Sequence, residues 1–392
     1  MKPPRDWKAA TVADICEMRN GHGFGPSDWD TEGLPIIRIQ NLNGGKKFDY
    51  YSGVPEQRWL VEQGQLLFAW AGTRGVSFGP TVWSGPLGVL NQHIFKIEPV
   101  EGIDRKWLYW ALRHATDRIE AQAHGFKATL VHVKKSDIDR QLVAIPPKDE
   151  QHRIACMLAT WDRAIEISER LLANSRKQKR ALMQRLLSPS ANTETPWRIF
   201  RLGELFIERN ENSRSDLPLL SITRDEGVIS RDDVGRKDTS NEDKSKYLRI
   251  CFGDIGYNTM RMWQGVSALS SMEGIVSPAY TIVTPNERID ARFAAYLFKL
   301  EKVVFLFYRN SQGLVSDTWN LKFPYFAKIS VSIPDINEQK RTVQLLETAD
   351  KSISVLTMHL EKLRQEKTAL MAQLLTGKRR VHLHTPELAL AA

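Results

Sequence analysis

Cysteine is scarce in this chain: there are three in 392 residues, Cys16, Cys156 and Cys251, and no Cys-x-x-Cys pair. That excludes a disulfide scaffold and a thiolate zinc site and suits a reducing compartment. The nine histidines show no metal-ligand spacing beyond His382 and His384 near the end, which read as a solvated terminus. Long apolar runs are missing too: none approaches the ~18 residues that span a bilayer, and MKPPRDWKAA lacks the apolar stretch of a signal peptide. A cytoplasmic protein with no membrane association is expected. Catalytic signatures are equally thin. There is no Asn-Pro-Pro-Tyr or Asp-Pro-Pro-Tyr tetrapeptide, and Gly21, Gly23 and Gly25 precede no Walker-type lysine and read as a turn. Pro334-Asp335 with Glu338-Gln339-Lys340 superficially resembles a nuclease core. Its carboxylates lie around one helix start, however, and the capping reading is preferred. Acidic surplus is also lacking. The net charge is +9, which favours polyanionic partners.

What the chain does have is repetition. Residues 145–188 and 333–376 align without a gap, with 17 identities in 44 positions. The correspondence continues upstream: Trp7, Val12, Asp14 and Ile15 fall opposite Trp197, Leu202, Glu204 and Leu205, and Ile103-Asp104 opposite Ile289-Asp290. A period this long means duplicated domains rather than a solenoid, and a duplicated protein suits a partner of two-fold character. The implied layout is a globular part at 1–144, a helix at 145–188, a linker at 189–196, a second globular part at 197–332, a second helix at 333–376 and a tail at 377–392.

The two matching stretches read as long helices. Pro146-Pro147 before Asp149 and Pro334 before Asn337 give each a rigid start and an N-cap, and Glu150 and Glu338 place negative charge in the first turn. Gly377 ends the second. Apolar residues then follow a seven-residue rhythm: Leu158, Ile165, Leu172, Leu182 and Leu186 in the first copy, Leu346, Ile353, Leu360, Leu370 and Leu374 in the second. This is a coiled-coil seam for helix pairing or subunit docking. Lys179 and Lys367 interrupt it at equivalent places. Because the first helix leads away from the first globular part and the second leaves the other part, the two should pair antiparallel. Each of ~38 residues would be ~57 Å long.

The globular parts read as α+β with mostly antiparallel strands: 34–42, 64–72 and 88–99, then a helix from 105, with counterparts in the second copy. Side chains suited to nucleic acid recur at matching places. In the first copy Thr73 and Arg74 sit in a glycine-flanked turn, Asn91 and Gln92 precede a strand, and Lys127, Lys134 and Lys135 suit phosphates. In the second, Asn258, Arg261 and Trp263, then Arg309, Asn310 and Gln312, then Asn320 and Lys322, form a comparable set.

These residues resemble a known family. Trp7 with Asp14-Ile15, the Gly64-Gln-Leu-Leu-Phe-Ala-Trp-Ala-Gly72-Thr-Arg-Gly75 stretch followed by Asn91-Gln92-His93, and both Ile-Pro…Glu-Gln…Arg helix starts ending Leu-Leu-(Ser/Thr) are similar to the specificity (S) subunit of type I restriction-modification enzymes. Gly256-Tyr-Asn-Thr-Met-Arg261 departs from the family's loop pattern, so contacts there are less directly transferred. The resemblance implies two target-recognition domains joined by antiparallel coiled-coil helices with a pseudo-two-fold internal repeat, each domain reading half of a split, asymmetric double-stranded DNA target. It further implies a non-catalytic chain that docks two methyltransferase subunits and restriction endonuclease/translocase subunits. No cofactor is expected in this chain itself: S-adenosylmethionine, ATP and Mg belong to the partners. From other classes, a methyltransferase or nuclease with duplicated recognition domains would bind S-adenosylmethionine alone, and a coiled-coil assembly protein would show no salt-dependent DNA binding.

Overall fold

In the computed structural model the described residues are 3–122, 130–189, 196–214, 216–223, 227–233, 243–315 and 318–381. They form two units, Met1–Glu169 with His359–Ala392 and Arg170–Met358. Each unit therefore takes one globular part and a portion of both long helices.

The first unit is built on a four-stranded antiparallel sheet in the order Cys16–Asn20, Ile94–Pro99, Leu66–Ala69, Gly79–Val82. The helix Arg105–Gln122 covers it, burying Trp107, Leu108, Leu112 and Ala115 against Leu66, Phe68 and Ile97. Lys8–Thr11 pairs antiparallel with Leu142–Ile145. The beginning and end of the globular part thus meet, and the chain passes from there into the long helix. A smaller outer sheet orders Tyr50–Tyr51, Leu34–Ile37, Gly88–Leu90 and Leu60–Val61, with one parallel contact between Leu34–Ile37 and Gly88–Leu90.

The second unit repeats the plan. Its sheet runs Phe206–Glu208, Tyr280–Pro285, Ile255–Asn258, Ser267–Leu269, and Arg198–Arg201 pairs with Ser330–Ile333 as the closing strands do in the first. Two short helices, Ala291–Leu297 and Glu301–Asn310, stand in place of one. The outer strands follow the same order: Leu220–Ile222 pairs antiparallel with Val228–Ser230, Leu248–Ile250 pairs antiparallel with Gly274–Val276, and a parallel bridge from Leu219 to Ile275 joins the two pairs as Leu34–Ile37 joins Gly88–Leu90 in the first unit.

The long helices span Lys148–Leu186 and Ile336–Leu375. The second is capped by Asp335, whose Oδ1 accepts the N–H groups of Asn337 and Glu338. The N-cap is therefore Asp335 and not Asn337, and Asp149 likewise lies inside the first turn. Gly377, at φ +72°, ends the second helix. Buried and half-buried positions recur every three or four residues on both, among them Leu158, Ile165, Leu172, Leu346, Ile353, Leu360, Leu370 and Leu374. In the first unit, Leu158 shares a core with Leu370 and Leu374. In the second, Leu182 and Leu186 share one with Leu346. Arg364 reaches Glu169 at 2.5 Å and Lys367 reaches Asp162 in the first unit, and Lys179 reaches Asp350 at 2.5 Å in the second. Within each unit the paired segments run antiparallel.

A buried glutamine fixes each helix start to its own domain. Gln151, 2% exposed, accepts the N–H of Asp104 at 2.8 Å and donates to the carbonyls of Pro146 and Gly102 at 3.0 and 3.3 Å. Gln339, fully buried, accepts from Asp290 N–H and donates to Pro334 and Arg288 in the same pattern. Asp104 and Asp290 are themselves helix caps, accepting N–H groups from Trp107 and from Arg292 and Phe293.

Candidate nucleic-acid interface

The central strand of the first unit, Leu66–Ala69, continues through Trp70 into the short strand Ala71–Thr73, which pairs with Leu130–His132. Gly72 adopts φ +153°, and a Cβ there would lie 2.5 Å from Ser77 Oγ. The backbone can then close a tight loop in which the Thr73 carbonyl accepts the N–H groups of Val76 and Ser77, and Thr73 N–H donates to Ser77 Oγ. Trp70 stands edge-on to His93 and His132, with ring centroids 5.0 and 4.8 Å away, and donates its indole N–H to the Gln92 carbonyl. Gln92, His93 and His132 are thereby gathered around one tryptophan, and Thr73 and Arg74 lie in the loop that follows it.

Their roles differ. Arg74 is exposed, yet its Nε lies 4.0 Å from the mostly buried Glu120 carboxylate, which also accepts Gly75 N–H. The arginine is tethered rather than free-standing. Gln92 is exposed, whereas the Asn91 side-chain oxygen is buried with no hydrogen-bond partner among the described residues. Lys134 is exposed beside the loop, and Lys135 pairs with Asp139 at 2.8 Å. Lys127 lies outside the described residues.

The second unit makes the same juxtaposition from different side chains. Ile255–Asn258 leads into Thr259, whose carbonyl accepts Leu321 N–H at 2.8 Å, as the Trp70 carbonyl accepts Val133 N–H at 3.0 Å. Asn258 Oδ1 accepts Met260 N–H and shapes the turn. Arg261 is exposed at its end. Trp263 packs edge-on to Trp319 at 5.1 Å, and Trp319 to Tyr308 at 5.0 Å. Gln312 and Asn320 exchange backbone N–H···O bonds of 2.8 Å, and Asn320 Nδ2 donates back to Gln312 and Thr318 carbonyls. Asn310 is used locally, donating to the Leu306 carbonyl at its helix end. Arg309 and Lys322 are exposed, Lys322 at the cap of the turn Phe323–Phe326.

Sequence reasoning missed an aromatic group on the outer sheet of the first unit. His22 stacks on Trp59 at 4.1 Å, and Trp59 packs against Phe24 and Tyr51. The glycines flanking His22 were its signal. They are no simple turn, because His22 bridges in parallel to Asn91 and a Cβ on Gly21 would lie 2.2 Å from the Leu90 carbonyl oxygen. It missed a clasp at the helix start as well. Glu150 accepts from the Trp7 indole N–H at 3.1 Å and from Arg380, which also holds Asp6 at 2.6 Å. Burial opposes ionisation of Glu150, but hydrogen bonds from Arg380, Val381 N–H and Trp7 outweigh it and hold the carboxyl below its ordinary value.

Among the described residues no His, Cys, Asp and Glu side chains are gathered for a metal ion, and no helix is long and apolar enough to cross a membrane. Residues 4–174 match the family described as the type I restriction modification DNA specificity domain. The type I restriction enzyme MjaVIII specificity subunit of Methanocaldococcus jannaschii is 22% identical over 413 residues, covering 97% of this chain and 95% of its own. The S subunit of the type I restriction-modification system of M. genitalium shares the fold, with TM-score 0.55 and 17% identity over 96% of this chain and 98% of that one. So does a chain of a type I R-M system solved for its complex assembly and conformational transition, with TM-score 0.61 and 17% identity over 97% and 100%. Residues 4–174 thus match the type I restriction modification DNA specificity domain, and the chain as a whole is similar in sequence to one specificity subunit and in fold to another.

Proposed function

We propose that this chain is the DNA-reading subunit of a type I restriction-modification complex, with each globular domain reading one half of a split, asymmetric target. The observation that carries this is the repeated juxtaposition. In both units the loop after the central strand meets the segment before the closing strand, yet the side chains presented differ: Trp70, Arg74, Gln92 and His132 in one, Arg261, Trp263, Trp319 and Gln312 in the other. One scaffold with two sets of polar and aromatic side chains is what reading two unlike half-sites requires. The paired helices set the interval between half-sites and offer their outer faces to two methyltransferase subunits, and endonuclease/translocase subunits join the same complex. Methyl transfer from S-adenosylmethionine and ATP- and Mg-dependent work belong to those partners, and this chain is non-catalytic.

The test is to exchange residues 1–144 for those of a relative and map methylated sites genome-wide with the partner subunits present. One half of the motif changes and the other stays. A change in both halves, or methylation without a split motif, refutes modular reading.

A further inference from the structure

The two lysines that break the apolar seam are built into matching three-residue junctions. In the first unit the Lys367 ammonium pairs with Asp162 and lies 4.6 Å over the ring of Trp110. In the second, Lys179 pairs with Asp350 at 2.5 Å and lies 5.2 Å over Tyr296, whose hydroxyl donates to the other Asp350 oxygen at 2.7 Å. Asp162 and Asp350 occupy the same repeat position, as do Lys179 and Lys367. Each junction takes its acid from one helix copy, its base from the other, and its ring from the domain helix of its own unit. The lysine side chains are only 21% and 22% exposed, so an unpaired ammonium there is strongly disfavoured, and the aromatic face adds cation–π attraction.

We propose that these two junctions are register locks: they fix the axial alignment of the antiparallel helices and seat each reading domain on them, and so hold the gap between half-sites at one length. This rests on the split-target reading above. An apolar heptad seam alone tolerates a slip of one heptad, ~10 Å, because leucines still meet leucines. The charges do not tolerate it. A slip in one direction sets Lys367 opposite Ala155 and Lys179 opposite Val343. In the other, Lys367 meets Glu169, but Lys179 faces Thr357 and the two aspartates face Leu374 and Leu186. Either slip strands a half-buried lysine, whereas the observed register pairs all four groups. A polar pair in an apolar seam specifies register at a cost in stability.

The test uses the full chain, alone and with its methyltransferase partners. Asp162→Lys and Lys367→Asp are made singly and together, and likewise Asp350→Lys and Lys179→Asp. On the isolated chain, each single reversal lowers the urea midpoint and speeds hydrogen exchange in the peptides around the altered junction at least tenfold. The exchanged pair restores at least half of each loss. In cells with the partners, the single reversals spread methylation over motifs of more than one gap length, and the exchanged pair returns it to one. Additive losses in the exchanged pair overturn the lock, as does a single sharp gap in every reversal that still methylates. Lys367→Arg and Lys179→Arg keep the charge and keep the gap, so a reversal that merely unfolds is told apart. If even the unaltered chain directs no split motif, the split-target reading fails, while the rescue on the isolated chain still decides the lock.

Discussion

Replacing Gln151 by leucine tests how the reading domain is fastened to its helix. The side chain is 2% exposed and serves three backbone groups: the N–H of Asp104 and the carbonyls of Pro146 and Gly102. Leucine fills much of the volume and leaves the Asp104 N–H and the Pro146 carbonyl without a partner, while the carbonyl of the exposed Gly102 can turn to water. At about 1–3 kcal/mol for each of the two orphans, softened by local relaxation, the cost is about 2–4 kcal/mol. Because Asp104 caps the helix Arg105–Gln122, the loss should appear first as opening of that helix start. The assay is hydrogen exchange on peptides covering residues 100–108 and 287–295. Gln151→Leu should raise exchange in the first about a hundredfold or more and leave the second unchanged, and Gln339→Leu should do the converse. Glutamate supplies a sharper variant. Its carboxylate keeps the Asp104 contact but faces two carbonyl oxygens, so its pKa in the folded state rises above the unfolded value. The stabilising contribution of that protonated form is present below the ordinary carboxylate pKa and lost as pH rises through the folded one, so Gln151→Glu should regain stability in acid. A cost under about 1 kcal/mol for Gln151→Leu, or equal acceleration in both peptides, refutes the fastening argument.

Four further outcomes are expected. His114 is kept neutral by burial and by Arg118, with its pKa pushed down to about 4; the stability it contributes is present above the ordinary value near 6.5 and lost as pH falls toward 4, by up to about 3 kcal/mol. His114→Phe should flatten that slope in a pH series of urea midpoints. Glu120→Gln keeps an acceptor for Gly75 N–H but removes the charge tethering Arg74, so cognate DNA binding should tighten severalfold at low salt, while Arg74→Ala should weaken it by about 1–3 kcal/mol; an unchanged affinity in both excludes Arg74 from the interface. Arg380→Ala leaves the buried Glu150 with Trp7 alone among its side-chain donors and should cost about 2–4 kcal/mol in the unfolding of the first unit. Insertion of four residues near Ala173 lengthens the first helix by ~6 Å and rotates its C-terminal portion by ~40°, so the methylated gap should change or activity fail; an unchanged gap with full activity would end the ruler idea.

The duplication, the helix limits and the heptad seam were legible in the sequence because they depend on local periodicity and on punctuation by Pro and Gly. Leu158, Leu346 and Leu374 are fully buried for that reason. What opposes a position across the fold was not legible. Lys179 and Lys367 register only as breaks in the pattern, since the sequence does not say that Asp350 and Asp162 stand opposite. Gln151 and Gln339 were visible as a motif, but their partners lie some fifty residues away in the chain. Thr73 and Arg74 follow Trp70, and Arg261 and Trp263 follow Asn258, because both loops leave a central strand, a local property, whereas Lys135 and Asn310 are engaged elsewhere. The tether from Glu120 to Arg74 depends on the approach of a separate helix and left no mark in the sequence near Arg74.

The places where the two copies agree and differ separate structure from reading. The buried glutamines, the capping aspartates and the acid–lysine–aromatic junctions are kept in both units, and each of them fixes a domain helix or a spacer helix. The residues around the loops are not kept: Trp70 meets histidines where Trp263 meets Trp319. A duplicated chain free to drift would lose both kinds of feature together. Retention of the joints with divergence of the exposed loops is the pattern left when one frame must stay fixed while two surfaces contact different chemistry, which is what the proposed reading of two unlike half-sites would demand.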